Sequence, residues 1–371
     1  LILEPGTAIR FAEIDGIFNI EGIVGRGSSC VVYLSQYSGP AGIHGEYLLK
    51  EYNPEYLILH RDEQGILSSP QSEAFQEGLE RFLTSTFIQQ QIRLIAGLKN
   101  STSLLQGKYE ANGTAYMVMP VFDGHTYENV TDSSPMDTYK TIRTLTDVIR
   151  KYHDAGYLHL DIKPSNIFIY PETREMILLF DFDSVMPKDQ IRTAKLLSYS
   201  QNWAAPEQLV SSYRSKICEA TDLFAIGEIL FYRIMGRHSE VDERRPFSVY
   251  TFPENIKSAD QAKLTEIFQH TLCANVRRRW QTALELLEKL DDLIEEQVLA
   301  STRLVPIEPF VGRERELEEI FRRLKLNRIL ILSGMGGIGK TELAKHYADL
   351  HQKDYDVIVA ATFHGSWLSL V

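Results

Sequence analysis

A chain of 371 residues with 44% hydrophobic and 24% charged content is long enough for two globular domains and can bury a real core. Its formal net charge of -11 argues against a nucleic-acid backbone or an anionic membrane as the main partner, since both need a basic face. Small anions such as nucleotides stay open, because backbone amides and a few cations suffice for them. Cys30, Cys218 and Cys273 are the only cysteines and lie far apart, so neither a disulfide framework nor a zinc cluster is indicated. With no bilayer-length apolar stretch and no signal-peptide pattern, a cytoplasmic setting is expected. The chain starts on Leu and stops after "SWLSLV" without a stop signal, so a fragment at both ends is expected.

In chain order, "IFNIEGIVGR", "CVVYLSQY" and "GEYLLKEY" alternate as strands between glycine-bearing turns and predict a small antiparallel sheet over about 17–60. Residues 71–98 are helical in composition, and "TAYMVMPVF" at 114–122 returns to strand. Residues 136–155 predict an amphipathic helix, followed by "YLHLDIKPSNIFIY", a hairpin-like turn and the buried strand "MILLFDF". From about 203 to 299 the pattern is helical, with "DLFAIGEILFYRIMG" apolar nearly all round, as a helix buried on every side would be. "STRLVPIEPF" carries two prolines and reads as a linker over 296–308. Beyond it a helix, a buried strand "NRILILSG", a helix and a strand "YDVIVAATF" follow in an order that points to a parallel sheet.

Asp161 and Asn166 lie five apart in a loop between apolar segments, where two oxygen-bearing side chains can converge on a metal-phosphate and a hydroxyl. By themselves they could equally be turn formers that satisfy local backbone. Downstream, Asp181 and Asp183 in "LLFDFDSV" can both face one side of an extended segment, and spacing alone does not choose between them. "IVGRGSSCVVYL" is a glycine turn between strands, a plain hairpin when judged alone. Lys50 alternates with apolar neighbours, so its stem packs while its head reaches out.

Taken together and in this order, these segments resemble a protein kinase over about 17–295, with an N-lobe at about 17–122 and a C-lobe at about 123–295. The resemblance implies an α+β two-lobed fold with ATP and Mg²⁺ bound between the lobes. Asp161 would accept the proton of the attacking hydroxyl, Lys163 would neutralise the γ-phosphate, and Asn166 and Asp181 would hold magnesium. Lys163, two residues after the Asp, is the Ser/Thr form of that loop. Gly25 and Gly27 would form the lid, Val32 would cover the adenine and Lys50 would meet the α/β-phosphates. Met119 takes the gatekeeper place, with the backbone near Val121 and Phe122 facing the adenine edge. Glu207 of "NWAAPEQL" is expected to pair with Arg279, and Asp222 to clamp the catalytic-loop backbone.

Four positions depart from that pattern. Leu160 stands where many kinases keep the arginine that receives an activation-loop phosphate, so this chain should not need that phosphate. Between Glu80 and Glu110 there is no carboxylate, so the helix partner of Lys50 is expected to be Gln90 or Gln91, or Glu80 or Glu77 reaching in from a longer element. Cys30 replaces the third lid glycine. Asp183 replaces the glycine after Asp-Phe and removes a permissive hinge.

"GMGGIGKTELA" fits G-x-x-x-x-G-K-[ST] through Gly334, Gly339, Lys340 and Thr341, after a predicted strand and opening a helix, as a phosphate cradle requires. With "FVGREREL" before it, the stretch resembles the start of an NB-ARC-type signal-transduction ATPase over 309–371, an α/β P-loop domain cut short. The leading expectation is a Ser/Thr protein kinase acting on protein hydroxyls, coupled to a nucleotide-switched ATPase through which copies could self-associate. The alternative is a nucleotide-binding pseudokinase that regulates the ATPase. A small-molecule kinase is disfavoured by Lys163 and "AAPEQL".

Overall fold

The computed structural model describes residues 1–95, 97–122, 124–170, 176–192, 199–240, 250–301, 312–327, 329–333 and 338–355. The chain divides into two units, Leu1–Asp291 and Asp292–Val371.

The first unit opens on the short strand β1 (Ala8–Ile9), followed by β2 (Ile17–Arg26), β3 (Cys30–Ser38) and β4 (His44–Tyr52). A small hairpin, β5 (His60–Arg61) and β6 (Leu67–Ser68), leads into helix α1 (Ser72–Arg93). Strands β7 (Gly107–Ala111) and β8 (Thr114–Pro120) complete a six-stranded sheet in the order β1-β2-β3-β4-β8-β7. The alternation seen in the sequence decides which face each side chain takes. Val31, Tyr33 and Leu49 point to an aromatic core with Phe11, Phe18 and Tyr116, which Leu3 and Ile9 from ahead of β2 help to close. The opposite face carries Cys30, Met117 and Met119 and packs on Phe75, Leu79 and Phe82 of α1.

Glu51, one residue after Lys50, therefore lies on the other face and is fully buried. Its carboxylate accepts from Tyr33 Oη at 3.0 Å, Tyr116 Oη at 2.6 Å and Asn53 Nδ2 at 3.2 Å, and Arg61 Nη2 donates to both oxygens at 2.9 and 3.0 Å. A buried charge held this fully locks the β5–β6 hairpin to the back of the sheet.

The helical part begins at β9 (His125–Thr126) and α2 (Pro135–Asp154). Ser134 caps α2 in a reciprocal box with Asp137, and Pro135 occupies the first turn, where a missing N–H costs nothing. After β10 (Tyr157–Leu158), strand β11 (Ile167–Ile169) pairs antiparallel with β12 (Ile177–Leu179), and β13 (Met186–Pro187) returns to pair with β10. Helices α3 (Pro206–Leu209), α4 (Glu219–Met235), α5 (Ser258–Thr271) and α6 (Ala283–Ser301) follow. As its composition requires, α4 is buried along nearly its whole length, and it ends at Gly236, whose φ of 68° suits the left-handed cap.

In the second unit, α7 (Glu314–Leu326) and α8 (Lys340–Leu350) pack Ile320 against Leu343 and Tyr347. The expected buried strand "NRILILSG" is not a paired strand among the described residues. Leu330 and Leu332 lean on the helices while Ile329 and Ile331 are 79% and 83% exposed. Gly339, with φ of 85°, sits at the N-cap of α8 and delivers Lys340 and Thr341 to its first turn. Residues 296–301, expected as the start of the linker, continue helix α6 instead, while Gly334, the second expected strand and linker residues 302–308 fall outside the described residues.

Candidate active site

Strand β4 carries Lys50 into a crevice below the lid. Its side chain is only 12% exposed, and Nζ meets two carboxylates, Asp181 Oδ1 at 2.9 Å and Asp183 Oδ2 at 3.2 Å. Burial alone would push the Asp181 carboxyl up, but the Lys50 ammonium outweighs it and holds Asp181 well below the usual carboxylate range. For Asp183, burial and the neighbouring Asp181 charge win over Lys50 and raise the carboxyl. Both carboxylates pair with the Lys50 ammonium, and Asp181 is the more exposed of the two at 35% against 18%.

The expected helix partners of Lys50 are corrected by the geometry. Glu77, Glu80 and Gln90 are exposed on α1, Gln91 is half-buried, and none bonds Lys50. Gln89 is turned to Ser103, donating to its carbonyl and hydroxyl at 2.8 Å each. Helix α1 instead presents Ser85, which reaches Asp183 Oδ1 at 3.0 Å. Cys30 at the third lid position is buried, its Sγ 3.9 Å from Asp183 Oδ2, and burial pushes its thiol far up, away from a reactive thiolate.

Asp161 follows β10. Its Oδ2 accepts from Lys163 Nζ at 2.9 Å and Asn166 Nδ2 at 3.2 Å, while Oδ1 is buried without a partner among the described residues. A buried carboxylate oxygen left bare is costly unless a ligand completes it. Asn166 spends Nδ2 on Asp161, including its carbonyl at 2.9 Å, so its amide oxygen is the atom left to offer a cation. Asn166 and Asp181 form an all-oxygen donor pair that fits Mg²⁺, which keeps several waters. Lys163 also donates to Ser200 Oγ at 2.7 Å, a contact the sequence reading did not identify.

Leu160 and Asp181 are the site's two non-glycine residues with left-handed backbone, φ 65° and 61°, a conformation that persists where its surroundings impose it. At Leu160 the surroundings are explicit. Asp222 accepts from the His159 N–H at 2.9 Å, the Leu160 N–H at 2.8 Å and His153 Nε2 at 2.8 Å, the clamp expected of it. Burial would raise this carboxyl, but His153 and the backbone donors hold it below its ordinary value. Gln208 donates to the Leu160 carbonyl at 2.7 Å. Phe182, next to Asp181, is buried with its ring 6.3 Å from His159 and 6.4 Å from Tyr152.

At the positions expected to face adenine, Val32 lies across from Lys50 in the β3–β4 register, and Met119 is buried opposite Leu48. Val121 is 43% exposed, whereas Phe122 packs its ring 5.0 Å from Phe180 and 6.1 Å from Phe168, an aromatic floor the sequence reading missed. A Cβ at Gly25 would meet open space, and Gly27 donates to the Cys30 carbonyl at 2.9 Å to close the lid turn. The first unit thus brings Lys50, Asp181, Asp183 and Ser29 of the expected lid into one bonded group and Asp161, Lys163 and Asn166 into another, and the N–H of Phe180, next to Asp181, donates to the Asn166 carbonyl at 3.0 Å; Gly339, Lys340 and Thr341 belong to the second unit.

The sequence model of the protein kinase domain matches residues 88–300, more than half of the chain. The chain belongs to the protein kinase family. Among relatives of this kinase, the serine/threonine-protein kinase PknK of Mycobacterium tuberculosis is 25% identical over 260 residues, 66% of this chain and 22% of that protein. Smooth-muscle myosin light chain kinase of Gallus gallus is 28% identical over 133 residues, covering 34% and 7% of the two chains. The chain therefore spans about a fifth or less of the length of these relatives. The solved structure titled PpkA-294 apo form superposes with a TM-score of 0.54 over 79% of this chain and 99% of that one at 22% identity, which shows the shared fold. No described helix of this kinase is long and apolar enough to cross a membrane.

The glutamate and arginine expected to pair do so: Glu207 and Arg279 meet through two bonds of 2.8 Å. Leu160 lies in an apolar cluster with Leu158, Ile191, Ile217 and Met186. Lys188 of the following segment is tied to Glu219 and donates to the His153 carbonyl. Alanine at Thr193, Ser198 and Tyr199 together is therefore expected to leave phosphate transfer at the wild-type rate; a rate that collapses in a folded triple variant would contradict this.

Proposed function

We propose that this kinase transfers the γ-phosphate of ATP to serine or threonine hydroxyls of protein substrates, with Asp161 as the base. The observation that carries the proposal is the bare, buried Oδ1 of Asp161, held beside Lys163 and Asn166. The substrate oxygen attacks the γ-phosphorus as its proton passes to Oδ1, and the bond from phosphorus to the ADP oxygen breaks. Lys163 offsets charge gathering on the transferred group, and Lys50 orients the α/β-phosphates. Asn166 and Asp181 would hold magnesium, which when bound neutralises the phosphate oxygens. Val32 from above and the Phe122, Phe168 and Phe180 rings nearby supply apolar surface for a purine, with Met119 behind. Lys163 and "AAPEQL", through their resemblance to kinases that act on proteins, favour a protein hydroxyl over a small molecule.

The pseudokinase reading rests on the missing carboxylate of α1, and Asp183 meets that lack at Lys50. The second unit, with Gly339, Lys340 and Thr341 at a helix start, supports the further reading that a P-loop ATPase follows the kinase and is coupled to it in a cytoplasmic protein, where it could mediate self-association. Incubation with labelled ATP, Mg²⁺ and a generic protein is expected to label the protein on Ser or Thr. ATP binding without transfer to any protein would favour the pseudokinase, and label on a sugar or amine would favour a small-molecule kinase.

A further inference from the structure

The Lys50 ammonium is almost fully buried, and a buried cation needs a lasting partner. Asp181 is a poor candidate for that duty. It is the more exposed of the two acids and the one read as the magnesium ligand, so its charge is drawn toward the metal once nucleotide binds. Asp183 is built differently. Its Oδ1 meets the buried Ser85 of α1 at 3.0 Å, and its Oδ2 meets Lys50 at 3.2 Å and Ser29 of the lid at 3.4 Å. Ser85 shares its hydroxyl between Asp183 and the Phe82 carbonyl, 2.8 Å away. The backbone at 183 is outside the left-handed region that Asp181 occupies, so a side chain there costs no strain.

We propose that Asp183 is the residue that positions Lys50 in this kinase, carrying out from the segment of Asp181 the task for which no carboxylate of α1 reaches Lys50. This rests on the kinase reading and adds a consequence to it. Lid, helix and cleft meet at one side chain, and the lysine is fixed by the segment that also holds the metal ligand. An outward shift of α1 would strip Ser85 from Asp183 without releasing Lys50, so the alignment of Lys50 does not depend on the placement of the helix.

The test measures phosphate transfer and ATP binding in parallel on the whole chain. Asp183→Gly is expected to lower kcat by about 100-fold, because the misplaced ammonium no longer meets the phosphates in register. ATP affinity should change far less, and Asp183→Asn, which keeps the shape but not the charge, should lose activity alongside. Adding Ser85→Glu to Asp183→Gly should recover much of the rate, since the longer side chain returns a carboxylate to Lys50 from the helix. A general loss of structure would not be repaired in that way. Wild-type kcat in Asp183→Gly overturns the proposal, as does an absence of recovery in a double variant that binds ATP normally. A wild-type chain that transfers no phosphate counts against the kinase reading instead. The pairing is then judged from a crystal structure: a Lys50 ammonium bonded to Asp183 upholds it, and one remote from residue 183 overturns it.

Discussion

Replacing Asp161 with Asn is expected to cut phosphate transfer by about 10²–10⁴-fold, the span that a positioned general base contributes. The substitution keeps the size of the side chain and its reach to Lys163 and Asn166, whose bonds at 2.9 and 3.2 Å hold the present carboxylate. What it removes is the basic oxygen, now buried and bare, that would take the proton of the hydroxyl. ATP binding should persist, because Lys50, the lid and the aromatic floor are untouched. The measurement is single-turnover transfer beside equilibrium binding of ATP. Full transfer by the variant would remove Asp161 from the base position.

Arg279→Met is expected to destabilise the first unit by about 3–5 kcal/mol, the cost of stripping one partner from a buried ion pair. Both side chains are almost completely buried, and the guanidinium donates to Glu207 through both terminal nitrogens at 2.8 Å. It also donates to the carbonyls of Cys273 at 2.7 Å and Ala220 at 3.1 Å and lies over the Phe224 ring. Without it, Glu207 keeps only Thr221, at 2.8 Å, among the partners described for its carboxylate. The double variant Glu207→Gln/Arg279→Met should fall short of the sum of the two single losses, because it leaves no unpaired buried charge. Urea unfolding of the three variants reads this; a change below about 1 kcal/mol for Arg279→Met, the range of an exposed pair, would contradict it.

Much of the site was legible in the sequence because its residues interrupt apolar segments at fixed spacing. Asp161, Lys163 and Asn166 share one loop between β10 and β11, where spacing alone left a turn-forming role equally open and the resemblance to protein kinases decided the reading. Lys50 was legible from the alternation of β4, which sends it and Glu51 to opposite faces. Long-range pairings were legible only where a motif on each side pointed to the other, as with Glu207 and Arg279. The partner of Lys50 was not, because the family pattern places it on α1 while Asp183 stands 133 residues away. The signal was present in Asp183 itself, an acid where a hinge glycine was expected and a side chain able to share the face of Asp181. Ser85, Ser200 and the packing of Phe122 on Phe168 and Phe180 left no sequence trace, since a serine in a helix and aromatics in strands are ordinary core and surface residues until the chain brings them together. In the second unit the apolar run at 329–333 predicts a buried strand, but alternate residues there are exposed.

A crystal structure of the chain soaked with Mg²⁺ and a non-hydrolysable ATP analogue tests the central claim most directly. The account predicts a cation about 2.0–2.1 Å from oxygens of Asn166 and Asp181. It also predicts the Lys50 ammonium on the α/β-phosphates and the purine between Val32 and the aromatic floor. A nucleotide bound elsewhere, or a triphosphate in the crevice that touches neither Lys50 nor a metal on Asp181, would contradict it.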